Sequence, residues 1–285
     1  MAVLVLDFDG TLTDAEAEGH AFREGYLEDL ALLVGRPTND TAVRELAAEV
    51  EVEMSRAPER HAFRWLDREV APATVDPFLR MTPIANRILD HFGVMTNPTD
   101  RARLMSGVLY KYNYAKTLGH TVFRDGAGRA AQSLANTNTW IVTNSDAKQV
   151  ATKVMALAQE VPGVAWLCGR VQGNARKFEI DDSWTGAPAE LRLPGLQRPV
   201  LLRRAKYHAL LRTVLDGTGA SFEDLVVVGD IFELDLALPL AMGARVGLVV
   251  SGHTPPYEQA YVEAHPRGKL VRDLSEIRQF AFGAA

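Results

Sequence analysis

The sequence predicts an α/β fold, a doubly wound parallel sheet with a separate all-helical domain inserted after its first strand. Three observations carry this reading. Short apolar runs recur without alternation, helical patterns fill the gaps between them in the second half, and a stretch of about a hundred residues after the first run shows helical faces alone. The chain has 285 residues, 47% hydrophobic and 24% charged. That balance is ordinary for a globular protein and makes disorder, collagen and coiled coil poor readings. Lys and Arg number 31 against 36 Asp and Glu, a formal net charge of −5. Nothing therefore pulls the chain generally toward nucleic acid or anionic lipid. The single cysteine, Cys168, cannot close an intramolecular disulfide, and the opening run meets an acid at Asp7, too early for a signal peptide or a membrane span. A cytoplasmic protein with neither membrane nor nucleic acid as partner is the expectation.

The first element is Val3-Leu4-Val5-Leu6, β-branched and apolar, which stops at Asp7-Phe8-Asp9-Gly10-Thr11 and reads as a buried strand feeding a polar turn. Similar runs stand at Thr139–Val142, Val164–Leu167, Leu225–Val228 and Arg245–Val250. Each is too short for a helix, and unbroken apolar character suits strands buried on both faces. Between them, Val150, Val154 and Leu157 share one helical face, as do Tyr207, Leu210, Leu211, Val214 and Leu215 before Gly217. In the insertion, Phe22, Tyr26, Leu30 and Leu33 form one face, and Val43, Leu46, Ala47, Val50 and Met54 another. Thr82-Pro83 and Asn97-Pro98 each pair a capping residue with a first-turn proline and predict helix starts. The predicted division is residues 1–13 plus 121–285 as the α/β core and 14–120 as the helical insertion. Glycines and prolines break residues 169–204, where Lys177–Ile180 and Val200–Leu202 suggest a small β flap within the core.

Chemistry gathers at the strand ends, where open α/β sheets place their ligand sites. Asp7 and Asp9 follow the first strand, and Gly10 allows the immediate turn that brings both carboxylates to one space. Read alone, the pentapeptide is as well a solvated acidic loop. The strand at Ile141-Val142 ends in Thr143-Asn144-Ser145, a hydroxyl and amides opening a helix, which serves equally as an N-cap. The strand at 225–228 ends in Gly229-Asp230 with Glu233 and Asp235 behind. Lys206 stands near the start of the helix that precedes this strand. Three strands ending in oxygen-bearing groups of complementary type are harder to dismiss than any one.

Asp7-Phe8-Asp9-Gly10-Thr11, Thr143, Lys206 and Gly229–Asp235 together resemble the four motifs of the haloacid dehalogenase superfamily of phosphohydrolases. The resemblance spans the core and implies a Rossmann-like sheet, with the helical block as the family's cap. Choosing Lys206 over Lys148, Lys153 or Lys177 rests on its position ahead of the fourth motif. The resemblance implies Asp7 as nucleophile, Asp9 as acid and then base, and Thr143, Lys206 and the amides around Phe8 and Asn144 as holders of the phosphoryl oxygens. It implies Mg²⁺ on a carboxylate oxygen of Asp7, the backbone carbonyl of Asp9 and the carboxylate of Asp230, with Asp235 holding a metal-bound water or orienting the lysine.

The implied activity is a Mg²⁺-dependent phosphatase hydrolysing a small phosphorylated metabolite through an aspartyl-phosphate. A phosphomutase using the same aspartyl-phosphate and a non-catalytic binding protein of the same fold are the alternatives. Asp9 and Asp230 together argue against carbon–halogen cleavage, which needs neither a proton donor there nor magnesium. His20, Arg23, Tyr26 and the run Tyr110–Lys116 are candidate substrate contacts on the cap. Tyr112 continues an apolar face and reads more readily as core.

Overall fold

The computed structural model describes residues 2–117 and 119–283. Among the described residues ten strands follow one another: β1 (Val3–Leu6), β2 (Ala62–Trp65), β3 (Arg68–Pro72), β4 (Thr139–Val142), β5 (Val171–Gln172), β6 (Glu190–Leu191), β7 (Val200–Leu201), β8 (Leu225–Gly229), β9 (Arg245–Val249) and β10 (Gly268–Val271). Among the described residues, one sheet of six has the order β10-β9-β8-β1-β4-β5, with parallel pairing throughout. The order reverses at β1, since the chain first builds outward through β4 and β5 and later through β8, β9 and β10. Such a reversal opens a crevice at the carboxyl ends of the strands beside it. Leu6 lies opposite both Ile141 and Val228, so β1, β4 and β8 end level with one another.

Alternation sends the residues of β1 to two cores. Val3 and Val5 pack with Tyr207, Leu211, Phe232 and Leu236 on one side, and Leu4 and Leu6 with Ala127, Ala131, Val150 and Val154 on the other. Both faces are covered by helices, as the unbroken apolar strands require. No described helix is long and apolar enough to cross a membrane.

The chain divides into two compact units, one made of Met1–Asp14, Arg64–Ala71 and Phe123–Ala285, the other of Ala15–Phe63 and Pro72–Val122. The second unit is built on helices Ala15–Leu33, Thr41–Arg56, Pro77–Phe92, Pro98–Leu104 and Tyr110–Thr117, around Phe22, Leu27, Leu30, Val50, Ile84 and Ile88. Its helix starts are capped: Asp40 accepts from the Val43 amide at 3.1 Å, and Asn97 from the Thr99 amide at 3.0 Å. The helix expected from Pro83 begins earlier, at Pro77, where Asp76 accepts from the Phe78 amide at 2.7 Å, and Pro83 lies within it.

Three other expectations need correction. Residues 14–120 are not helical throughout, because β2 and β3 stand there around Leu66, whose φ is 53°. The run at 164–167 is largely a 3₁₀ turn, Ala165–Arg170, and the sheet's edge strand follows it as β5. Within the 169–204 excursion, β7 pairs antiparallel with β6, whereas Lys177–Ile180 is turn and coil. The strand β10 was not anticipated.

Candidate active site

The Asp7 amide extends the β1 ladder by donating to the Val228 carbonyl at 2.8 Å. The chain then coils at once, with the amides of Thr11, Leu12 and Thr13 all pointing at the Phe8 carbonyl at 3.3, 2.9 and 3.3 Å. Gly10 has φ 77°, and a Cβ there would lie 2.2 Å from Asp230 Oδ2. Glycine is therefore required twice over, for the turn and for the approach of the Asp230 carboxylate. The Thr11 hydroxyl lies 3.4 Å from both Asp7 Oδ2 and Asp230 Oδ1, and its single proton serves one of them at a time. Carboxylate oxygens of Asp7, Asp230 and Asp235 all lie within 4.8 Å of one another.

The cation among these acids is Lys177. Its ammonium donates to Asp7 Oδ1 and to Asp235 Oδ1, each at 2.7 Å, and its side chain is 1% exposed. Asp235 is fixed in turn, its Oδ2 accepting from the Ile231 amide at 3.1 Å and its carbonyl from the Tyr207 hydroxyl at 2.8 Å. The loop carrying the lysine is zipped onto the turn after β4. The Asn174 and Ala175 amides donate to the Ser145 and Thr143 carbonyls, both at 2.9 Å, and the Lys177 amide donates to Asn144 Oδ1 at 2.8 Å. A Cβ on Gly173 would meet the Ala147 nitrogen at 2.4 Å, so the two backbones touch there. Asn174 and Arg176 adopt φ of 55° and 48°, a left-handed backbone that stores strain beside the lysine.

The lysine expected in this place was Lys206, and the geometry corrects that. Lys206 has a side chain 62% exposed and pairs with Glu179 at 2.5 Å. It stands in the first turn of the helix Ala205–Asp216, where the buried face belongs to its neighbour Tyr207. Its position ahead of the fourth motif carried the expectation. The sequence sign of Lys177 is subtler, a lysine three residues beyond the Gly173-Asn174 break that follows β5.

Asp9 occupies a separate setting. Its Oδ2 accepts from the Ser145 hydroxyl at 2.6 Å and, more distantly, from the Thr143 hydroxyl at 3.4 Å, while Lys153 reaches its Oδ1 at 3.1 Å. The Thr143 hydroxyl oxygen also accepts from the Ser145 amide at 3.1 Å. In the sequence Ser145 figured only as part of the turn and Lys153 only as an alternative to Lys206, and neither was expected beside Asp9. Ser145 belongs to the quoted Thr143-Asn144-Ser145 turn and Lys153 lies two helical turns on, so both were within reach of a helical-wheel argument. The Asn144 side chain serves the lysine loop, and the Phe8 ring packs edge-on against Phe123 at 6.2 Å.

The electrostatics of the two acids follow from this placement. Burial pushes the Asp7 carboxyl up to about 7, with the charges of Asp235 and Asp9 adding and Lys177 opposing. Burial works against the Lys177 ammonium, but Asp235 and Asp7 outweigh it and hold its pKa above the ordinary lysine value.

Hard oxygen donors converging beside one ammonium fit a small divalent cation such as Mg²⁺. Asp7 and Asp230 have the carboxylates suited to hold it. Asp235 has both oxygens engaged, by Lys177 and by the Ile231 amide, so it orients the lysine. The Asp9 carboxylate is outside the group of three and turned to Ser145 and Lys153, and the Asp9 backbone carbonyl is a ligand only as the family resemblance implies it.

On the helical unit, Arg23 is engaged with Glu51 at 2.7 Å and with Glu24, and Tyr26 is buried with its hydroxyl 3.3 Å from the Met105 carbonyl. Tyr112, read as core, is 59% exposed.

Residues 203–277, about a quarter of the chain, match the family model described as HAD-hydrolase-like. No curated protein matches the sequence. Solved structures superpose over nearly the whole length. A predicted phosphoglycolate phosphatase from Haemophilus somnus 129pt does so at a TM-score of 0.54 and 12% identity, covering 98% of this chain and 97% of that one. A HAD-superfamily hydrolase, subfamily IA, variant 1, from Geobacter sulfurreducens PCA reaches 0.52 and 13%, over 99% and 96%. The putative HAD-hydrolase YfnB from Bacillus subtilis, solved bound to magnesium, gives 0.51 and 16%, over 98% of both chains. At these identities the likeness is one of fold.

Proposed function

We propose that this chain, which has the haloacid dehalogenase-like hydrolase fold, is a Mg²⁺-dependent phosphatase that cleaves a small phosphorylated metabolite through an aspartyl-phosphate on Asp7. The observation that supports this most is the separation of the two motif acids. Asp7 faces Lys177, Asp230 and Asp235, while Asp9, two residues on, faces Ser145 and Lys153. Phosphoryl transfer needs an attacker and a proton carrier held in different environments, and the end of β1 supplies both.

In the first half-reaction Asp7 forms a bond to phosphorus as the ester oxygen leaves, and Asp9 gives that oxygen its proton. In the second, Asp9 takes a proton from water, the water oxygen bonds to phosphorus and the Asp7–phosphorus bond breaks, which returns both acids to their starting states and yields inorganic phosphate. Lys177 and Thr143 would hold phosphoryl oxygens as charge builds on them. Mg²⁺, when held by Asp7, Asp230 and the Asp9 carbonyl, supplies neutralisation of the phosphoryl charge. The partner under this reading is a small-molecule phosphate ester.

The test is release of inorganic phosphate from a panel of phosphate esters, nitrophenyl phosphate included, by metal-replete protein. Turnover is expected with Mg²⁺ and is lost with chelator. Absence of turnover across the panel would overturn the reading, and isomerised sugar phosphate without phosphate release would replace it with a phosphomutase.

A further inference from the structure

The lysine loop ends in an arrangement that the chemistry above does not use. Arg204 is 0% exposed, and its guanidinium contacts three main-chain carbonyls. Nη1 donates to the Lys177 carbonyl, Nε to the Leu201 carbonyl at 3.0 Å and Nη2 to the Val70 carbonyl at 2.8 Å. These acceptors come from three separate segments, the lysine loop, β7 and β3. A buried cation whose partners are neutral carbonyls is costly to keep, and an apolar side chain would fill the same volume without that desolvation. Burial lowers its pKa to about 10, with Glu233 and Asp235 opposing, so it is charged at neutral pH.

We propose that Arg204 is a positioning residue for Lys177, its rigid fork fixing the lysine backbone against β3 and β7 so that the ammonium reaches Asp7 and Asp235. Lys177 is then held at every polar group: its amide by Asn144, its carbonyl by Arg204, its ammonium by the two acids. The planar guanidinium suits the task because it meets three acceptors in fixed directions at once, which an ammonium on a flexible stem does not. Two of those acceptors belong to elements that otherwise have no part in the site. Val70 lies in the short segment of residues 64–71 that joins the core unit from within the insertion. In the sequence this arginine stands two residues before Lys206, the lysine that its position ahead of the fourth motif had suggested.

The kinetic arm of the test rests on the phosphatase reading, and a spectroscopic arm does not. Arg204→Met removes charge and fork, and Arg204→Lys keeps the charge alone. In holoenzyme acting on nitrophenyl phosphate, Arg204→Met should lower kcat by about 10–100-fold with a smaller change in KM, because a displacement of about 1 Å costs that much in transfer chemistry. Arg204→Lys should recover part of the loss. In a Lys177→Ala background, Arg204→Met should add no further loss, since the residue acts through the lysine. In metal-free protein the Lys177 ammonium, sheltered from exchange, should give a ¹⁵N–¹H signal that Lys177→Ala removes and both Arg204 variants shift or broaden. Additive losses in the double variant, or an unmoved lysine signal, would overturn the proposal. So would loss of the folded state in both variants, which would assign Arg204 to the fold alone. If wild type releases no phosphate from any ester, the phosphatase reading falls and the lysine signal decides the positioning claim by itself.

Discussion

Asp7 and Asp9 differ by two positions in sequence and by nearly everything in surroundings. Asp7 is 8% exposed, bonded to a buried ammonium and crowded by Asp230 and Asp235. Asp9 has a side chain 36% exposed and is held by a hydroxyl and a lysine that keeps contact with solvent. One tight turn produces both settings, because Gly10 lets the chain fold under Asp230 while the Asp9 side chain swings to the helix after β4. Identical functional groups thus become suited to different tasks through what each touches.

The largest expected effect breaks the Asp7 side. Asp7→Asn should lower kcat by on the order of 10⁴-fold or more on every ester, whatever its leaving group, because the attacking oxygen is gone. Asp9→Asn should cost about 10²–10⁴-fold on alkyl phosphates. On nitrophenyl phosphate it should cost much less in the first step, since nitrophenolate leaves without a proton. Steady-state and single-turnover rates over both ester classes check this. Equal leaving-group dependence in the two variants would erase the distinction between the acids.

Proton linkage sharpens the same contrast without any substrate. With its carboxyl raised from 3.8 to about 7, folded Asp7 binds a proton that the unfolded chain has released over that window. Stability of the metal-free protein should therefore fall as pH rises from about 4 through 7, by on the order of a few kcal/mol at most. Asp7→Asn should flatten that slope and leave the variant at least as stable as wild type at pH 8 with chelator. Urea titrations across pH 4–8 measure it, and identical slopes in the two proteins would remove burial as the cause of the Asp7 shift. Mg²⁺ should restore wild-type stability most strongly at the alkaline end, where the ionised carboxylate is favoured.

How much of this was legible in the sequence follows from the range of the forces involved. β1, β4, β8 and β9 announce themselves because strands buried on both faces need unbroken apolar runs, and their polar ends follow directly. Asp7, Asp9, Thr143 and Asp230 come with those ends. β2 and β3 are short and partly exposed, so their residues alternate weakly and leave no run to see. The helix start at Thr82-Pro83 was a sound local signal, but Asp76-Pro77 offers the same chemistry one turn and a half earlier, and the face of Met81, Ile84 and Ile88 continues from it. The lysine was beyond local reading. Lys177 reaches Asp7 across most of the chain, and its place depends on Asn144, Ser145 and Arg204, contacts that no periodicity encodes.

The two lysines give the last and smallest pair of effects, and the sharpest test of the site's cation. Lys177→Ala removes the ammonium shared by Asp7 and Asp235 and should lower kcat by about 10²–10³-fold, the usual consequence of losing one donor to a developing phosphoryl charge. Lys206→Ala removes only a partly solvated pair with Glu179, and Glu179 keeps Arg176 as a second partner. Exposed pairs of this kind are worth about 0–1 kcal/mol, so kcat and KM should stay within about twofold of wild type and unfolding within about 0.5 kcal/mol. A tenfold or larger fall in kcat for Lys206→Ala with KM unchanged would put that ammonium at the phosphoryl group. Lys177 would then be left as a counter-ion to two buried acids, and the geometry between β1 and the lysine loop would describe a resting arrangement that substrate displaces.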